Sequence, residues 1–364
     1  MTTDPSQPAL RRAFFDRAHL LGLAVLTYSV LLLPGGFIIF LALAFSSRVF
    51  LPLLLFYVVW IFIDDAPRAG GRPAQWARNG SWSRWLVRYN DVVIVRNGPT
   101  LPADRNYLFA CHPHGVIGYS FWCALTQDTE PKPGKGNLWE RQRDKMATTH
   151  PDAHFGSPET VLNGLRTFVA TISGNFIIPF SREWLLLRGF ITAERASLHH
   201  IIRSSDGRAG NVACLIVGGA EESQHAAPGT NRLVLAKRHG FVRLALETGT
   251  PLVPVYAFGE TSLLYVNTPP WLEKFYAWFR KRFSWVPLFL STSGDDPWPF
   301  GWAFREVPVR VVVGQPLQLP HIPSPTSADV SAWHARYVDS LVSLYNTYKD
   351  VFDADRKEDL VIVG

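Results

Sequence analysis

The tetrapeptide His112-Pro113-His114-Gly115 follows directly on the apolar run Tyr107–Cys111. That placement puts two imidazoles at the carboxyl end of a strand, where open α/β sheets gather their functional groups. Histidine titrates at about 6.5 and serves as a general base at neutral pH. Pro113 stiffens the turn, and Gly115 lets the backbone pass close to a ligand. Spacing alone does not decide which ring is the base. His112 abuts the strand, whereas His114 stands two residues farther out beside Gly115, so His114 is the preferred base, with His112 buttressing the turn. A capped turn with two polar side chains is the plain alternative. Zinc takes three or four ligands, and His199, His200, His225 and His239 show no ligand spacing, so no metal is expected.

A second cluster, Val217-Gly218-Gly219-Ala220-Glu221-Glu222-Ser223, ends another apolar run. Gly218 and Gly219 free backbone N–H groups there, and Glu222 can orient a histidine or contact substrate. A glycine turn with solvated glutamates is the rival reading. The stretch Arg238–Glu260 reads as a basic helix start, a helix closed by Gly249 and a buried strand; Arg238 and Arg243 can meet phosphate or simply solvate a helix face. Trp271–Phe283 places Trp271, Phe275, Trp278 and Phe279 apart from Lys274, Arg280, Lys281 and Arg282. Such a helix lies in a membrane interface or packs on the core. No G-x-S-x-G elbow, P-loop or G-x-G-x-x-G is present, which disfavours hydrolase, NTPase and dinucleotide readings.

These clusters need a scaffold, and the runs Val92–Val95, Tyr107–Cys111, Val212–Val217, Leu252–Tyr256 and Val307–Val313 supply strands. Helical patterns at Ala196–Arg203, Lys237–Glu247 and Ala328–Val351 alternate with them. That alternation predicts one α/β domain over 64–364 with a mainly parallel sheet. Gln127–Gly156, rich in Pro, Gly, Lys and Asp, reads as a surface insertion of low order.

Between Leu20 and Ile63 the single charged residue is Arg48. The length suits a membrane hairpin of two segments, 20–45 and 49–63, after a basic segment 1–19; the second segment is short, so a hairpin held in one leaflet is also open. Arg11, Arg12 and Arg17 precede it and Arg68, Arg72, Arg78, Arg84 and Arg88 follow, so both ends face the cytosol. A cleaved signal is disfavoured, because its apolar region would run about 7–15 residues. Cys111, Cys123 and Cys214 show no pairing pattern and suit a reducing compartment. The formal charge of +6 fits nucleic acid, anionic lipid or a polyanion such as coenzyme A. Scattered basic residues speak against nucleic acid.

Taken together, these segments resemble the type-2 diacylglycerol acyltransferase family, which includes monoacylglycerol and wax-alcohol acyltransferases. The similarity includes Asp65-Ala66-Pro67, Gly70-Gly71-Arg72, Gln75-Trp76, the His-Pro-His-Gly signature and Ser173-Gly174-Asn175-Phe176. It continues through Pro179, Arg182-Glu183, Arg195, the Gly218-Gly219 turn with Glu222, the 238–260 block and Val313-Gly314-Gln315-Pro316. The resemblance implies a glycerol-phosphate-acyltransferase-like α/β domain behind the hairpin, in an endoplasmic-reticulum membrane enzyme often associated with lipid droplets. It implies acyl-CoA as co-substrate, no cofactor or metal, a neutral-lipid hydroxyl as acceptor and membrane lipid as surroundings; self-association is left open. Glycerol-phosphate acyltransferases place Asp five residues after the histidine, but Ile117 stands there, and Glu222 is the candidate replacement. Tyr89-Asn90-Asp91 stands where many members have a Tyr-Phe-Pro tripeptide.

On that reading a histidine takes the acceptor's proton as its oxygen attacks the thioester. Glu222 holds the ring's other nitrogen, and N–H groups near Gly115 or Gly218-Gly219 stabilise the oxyanion. Diacylglycerol is the first acceptor, with monoacylglycerol, a fatty alcohol or a sterol as alternatives. An inactive membrane-tethered lipid-binding protein is the reading from another class. Asn79-Gly80-Ser81 is a glycosylation sequon. If both ends face the cytosol, Asn79 stays unmodified, and a glycosidase-sensitive mass shift of the expressed protein overturns that topology.

Overall fold

The computed structural model describes residues 33–46, 48, 50–80, 87, 89–126, 138–156, 158–162, 164–203, 207–266, 274–275, 277–278, 290–291, 305 and 307–364. The basic segment 1–19 and the start of the first apolar segment lie outside the described residues. Helices α1 (Leu33–Ser46) and α2 (Phe50–Ile63) pack against each other, with Arg48 in the turn between them. The 14 residues of α2 make about 21 Å of helix, less than a hydrocarbon core of about 30 Å. Among the described residues, no helix is long and apolar enough to cross a membrane. Yet Leu53, Leu55, Phe56, Val59, Phe62 and Ile63 are exposed, so much of α2 turns apolar side chains outward.

The α/β domain is built on strands β1 (Val93–Asn97), β2 (Tyr107–His112), β3 (Ala153–Gly156), β4 (Arg166–Thr171), β5 (Phe190–Thr192) and β6 (Asn211–Ile216). Then come β7 (Arg232–Val234), β8 (Leu252–Phe258), β9 (Arg310–Val313) and β10 (Val361–Val363). Eight of them form one sheet in the order β3-β1-β9-β8-β2-β6-β4-β5, while β7 pairs with β10 alone. The run β8-β2-β6-β4-β5 is parallel, as expected. The sheet as a whole is mixed, because β9 lies antiparallel to β8 and β3 antiparallel to β1.

Side chains alternate across the pleat. Tyr107, Phe109 and Cys111 enter one core, while Leu108 and Ala110 enter the other. Helix α3 (Tyr119–Leu125) packs on the first face. On the opposite face lie α4 (Leu138–Thr149), α6 (Arg195–Ile202), α7 (Gly240–Thr248) and α8 (Ser327–Phe352), while α5 (Ser181–Leu187) sends Leu186 into the first core. Helix α7 ends at Gly249 in the left-handed conformation, as its sequence requires. Helix α8 opens with a capping box between Thr326 and Asp329 and buries Tyr337, Leu341, Leu344, Tyr345 and Tyr348.

The insertion departs from the expectation of low order: 138–149 is helical and 153–156 adds the edge strand β3, while 127–137 lies outside the described residues. Trp139 and Met146, seven residues apart on α4, are both buried, an apolar stripe that the surrounding polar composition hid. The buried guanidinium of Arg310 lies 5.0 Å from the Trp139 ring, donates to Gln142 Oε1 at 2.9 Å and pairs with Asp91 at 2.7 Å. Within Trp271–Phe283 the described residues 274, 275, 277 and 278 are helical, and Phe275 and Trp278 are exposed rather than in the core. Trp271 and 279–283 lie outside the described residues.

Arg310→Met removes the guanidinium that pairs with Asp91 and holds Gln142, and so loosens α4. Breaking one side of a buried pair costs about 3–5 kcal/mol. A clear drop in the denaturation midpoint is expected, and a midpoint equal to the parent's contradicts this account of the insertion.

Candidate active site

Parallel strands β2, β6 and β8 deliver three clusters to one sheet edge: 112–115, 218–222 and Gly259-Glu260. His112 is the last residue of β2 and is fully buried. A cis peptide joins it to Pro113, also buried, and Gly115 and Gly118 follow with φ of 54° and 71°. A Cβ on Gly115 would overlap the Glu260 carboxyl group, so the turn needs glycine on two counts.

Two carboxylates hold this turn. Glu260 accepts the N–H groups of Tyr119 at 3.1 Å and Ser120 at 2.7 Å, and the Ser120 hydroxyl. It thereby satisfies donors that the first turn of α3 leaves open. Glu222 closes the short helix Gly219–Glu222, with Oε1 accepting the backbone N–H of His114 and Oε2 that of Val234 at 2.7 Å. A Cβ on Gly218 would overlap the Glu222 carboxyl group. Burial pushes both carboxyl pKa values up to about 7 against the pull of these N–H bonds. The expectation that Glu222 holds an imidazole nitrogen is corrected here. The carboxylate reaches the backbone of His114, because the turn carries that N–H into the Gly218-Gly219 corner.

The ring of His114 takes its partner from its own turn. Nδ1 lies 3.2 Å from the Gly115 carbonyl, which can only accept, so the proton belongs on Nδ1 and the lone pair on Nε2. His114 is only partly buried by exposure, though burial still lowers its pKa. His112 is different. Its Nε2 lies 2.9 Å from the Tyr337 hydroxyl of α8, and that hydroxyl donates to Ala110 O at 3.2 Å. With its one proton so used, the phenol accepts from His112 Nε2–H. Burial, then His334, lowers the His112 pKa to about 3, far too low for a base working at neutral pH. His112 is sealed in the core, and His114 is the ring that the turn leaves partly exposed.

The other expected residues scatter. Arg238 stays beside the site, donating to Glu221 at 2.7 Å and to Gly218 O at 3.4 Å. Arg243 instead donates to Pro325 O at 2.9 Å. Asn175 sits in the turn after β4 and donates to Thr171 Oγ1 at 2.8 Å. Residues that the sequence reading left without a role include Glu260, Ser120 and Tyr337. Glu260 had a usable signal, since it lies just beyond a strand running parallel to β2. Tyr337 had none, being one aromatic among several on the buried face of a long helix.

An oriented, uncharged imidazole on a clamped turn can take a proton from a hydroxyl. The backbone N–H of Gly115, without a partner among the described residues, can stabilise an oxyanion. The chain matches the family model "Diacylglycerol acyltransferase" over residues 42–135 and 154–363, a match that skips the middle of the insertion. Diacylglycerol O-acyltransferase 2 of Danio rerio is 30% identical over 98% of this chain and 92% of its own length. Human 2-acylglycerol O-acyltransferase 3 is 31% identical over 94% of both chains, and diacylglycerol O-acyltransferase 2A of Umbelopsis ramanniana 30% identical over 95% and 91%. Among solved structures, the 1-acyl-sn-glycerophosphate acyltransferase PlsC of Thermotoga maritima is similar with a TM-score of 0.39 and 14% identity, over 92% of this chain and 97% of that one. By the extent of the family match and of these relatives, the chain belongs to the diacylglycerol acyltransferase family.

Proposed function

We propose that the protein transfers a fatty acyl group from acyl-CoA to the free hydroxyl of diacylglycerol, giving triacylglycerol. The observation that carries this reading is the His114 ring, its Nδ1 directed at the Gly115 carbonyl and its Nε2 left with the lone pair. Nε2 takes the acceptor's proton as the oxygen bonds to the thioester carbon. The Gly115 carbonyl opposite Nδ1–H steadies the imidazolium, and the Gly115 N–H meets the oxyanion. Collapse of that adduct breaks the C–S bond, and the imidazolium returns its proton to the departing sulfur. A thiol with a pKa of about 8.5 is a good leaving group, so the chain's own residues suffice. Monoacylglycerol is the second acceptor, favoured by the likeness to a 2-acylglycerol acyltransferase. The exposed apolar side chains of α2 support residence on a membrane, and the flanking basic residues support both termini in the cytosol; the endoplasmic reticulum and lipid droplets are the membranes we infer from the family resemblance.

Microsomes carrying the protein, given labelled acyl-CoA and a panel of acceptors, test this directly. Labelled triacylglycerol from diacylglycerol is expected, and label in wax ester or sterol ester alone overturns it. Within that assay His114→Ala is expected to lose about 10²–10⁴-fold in turnover, the usual worth of a general base. His112→Ala is expected to lower stability more than chemistry in the protein that remains folded. A dead but folded His112→Ala beside an active His114→Ala reverses the roles.

Glu222 and Glu260 also give stability a pH dependence. A folded pKa raised to about 7 means the native state holds the proton more tightly than the unfolded chain, whose carboxyls titrate at about 4.3. Their contribution is full below about pH 4.3 and is lost as pH rises through about 7. Glu222→Gln removes one of the two titrations. The fall in melting temperature between pH 5 and pH 8 is expected to be smaller in that variant than in the parent. An unchanged difference shows that Glu222 does not titrate with folding. Gln also offers an N–H to one of the two backbone N–H groups, so turnover is expected to drop about 10–100-fold, the equivalent of an orphaned buried donor.

A further inference from the structure

Residues 172–180, which join β4 to α5, turn apolar side chains outward. Ile172, Ile177 and Phe180 are 38%, 58% and 36% exposed. The polar side chains of the same segment are tied down, Ser173 to Glu194 at 2.7 Å and Asn175 to Thr171 at 2.8 Å. An outward apolar set on a loop marks a contact surface rather than an ordinary solvent face.

Helix α2 lies against this loop. The Tyr57 ring stacks on Phe180 with centroids 5.5 Å apart, the Phe180 N–H donates to the Tyr57 hydroxyl at 3.0 Å, and that hydroxyl donates to Glu183 at 3.2 Å. Leu53, Phe56 and Trp60, neighbours of Tyr57 on α2, are themselves exposed, Trp60 with the Arg72 guanidinium 5.7 Å from its ring, so the helix carries apolar surface on around its contact with the loop. Tyr57 stands six residues before Ile63, about 9 Å back along the helix axis. The polar end of α2 is beyond Ile63, where Asp64 pairs with Arg72 and with the buried Arg182. The loop therefore meets α2 at Tyr57, within its apolar length, and the residues that follow it, Arg182 and Glu183, run on into the polar cluster around Asp64. It also leaves the same sheet edge as His114, since β4, β6 and β2 are parallel, and it does so two strands away, about 10 Å.

We propose that residues 172–180 and α2 form the face by which the protein enters one leaflet of a bilayer, and that the lipid acceptor passes over Ile177 and Phe180 from that leaflet to His114. The second half rests on the acyl-transfer reading above; the first does not. A monolayer-deep hairpin matches the length of α2, and the loop then meets acyl chains directly, at the side of the sheet where a long-chain substrate is needed.

Cys111, Cys123 and Cys214 are buried, so Ile177→Cys in the full chain takes a thiol-reactive fluorophore selectively. In phosphatidylcholine vesicles the label is expected to be quenched by bromine on the lipid acyl chains and shielded from aqueous iodide. Ser343→Cys, exposed on α8, is the control expected to show the reverse. Iodide quenching at 177 equal to that at 343 overturns the immersed face. For the acceptor route, the Ile177→Ser, Phe180→Ser double variant is assayed with long-chain diacylglycerol in vesicles and with a short-chain, water-soluble diacylglycerol. The loss of kcat/KM on the vesicle-borne acceptor is expected to exceed that on the soluble one by about tenfold or more. Equal losses overturn the route. Absence of transfer to any acceptor by the parent protein removes the functional reading while leaving the quenching result to stand or fall alone.

Discussion

One buried carboxylate joins two stretches of chain that are distant in sequence. Glu222 accepts the backbone N–H of His114 on one oxygen and that of Val234 on the other. An isolated buried carboxylate is costly unless it is hydrogen-bonded, so neither N–H can be withdrawn without loss. Gly218 is tied to the same contact, since any side chain there would occupy the carboxylate's place. The direction of the His114 ring is set by this backbone, and so is its bond to the Gly115 carbonyl. On the far side of the turn Glu260 repeats the device at the start of α3. The turn is held between two carboxylates, and among the described residues the hydrogen bonds of both go to backbone N–H groups and the Ser120 hydroxyl rather than to an imidazole.

With His114 as the proposed base, a neutral carbonyl stands where a Ser-His-Asp triad has its acid. A carboxylate against the ring would raise its pKa and stabilise the charged form. The Gly115 carbonyl does so more weakly, and burial keeps the resting ring uncharged. Weak assistance is compatible with a thioester substrate, whose acyl group is already activated. His112 is held in the opposite state, sealed in the core and hydrogen-bonded to a tyrosine from the far end of the chain.

Strand ends were the legible part of the sequence. Apolar runs before His112 and before Gly218 placed both clusters of the candidate site, because a parallel sheet brings such ends to one edge. The same logic applied to Leu252–Phe258 reaches Glu260. What could not be read was the object of each contact. A glutamate near a histidine suggests a ring partner by chemistry, whereas a backbone N–H partner depends on the path of the turn. Helix α4 was obscured because two buried residues, Trp139 and Met146, sit among charged and polar neighbours whose composition dominates any average. Arg243 looked free on a helix and is instead occupied by a carbonyl 82 residues later in the chain.

The pairing of β7 with β10 has a consequence for how the enzyme is made. Val361 donates to Asn231 O at 2.9 Å, and Leu235 donates to Val363 O at 3.0 Å, so residues 361–363 line the segment that carries the Val234 N–H to Glu222. During synthesis His114 leaves the ribosome well before them. At about 5–20 residues per second, those roughly 250 residues take about 12–50 s to translate. Throughout that interval the nascent chain already has its apolar hairpin and its histidines but lacks the strand that steadies the other end of the clamp. The turn at His114 can therefore be made early, and the second half of its clamp is steadied only after residues 361–363 have emerged.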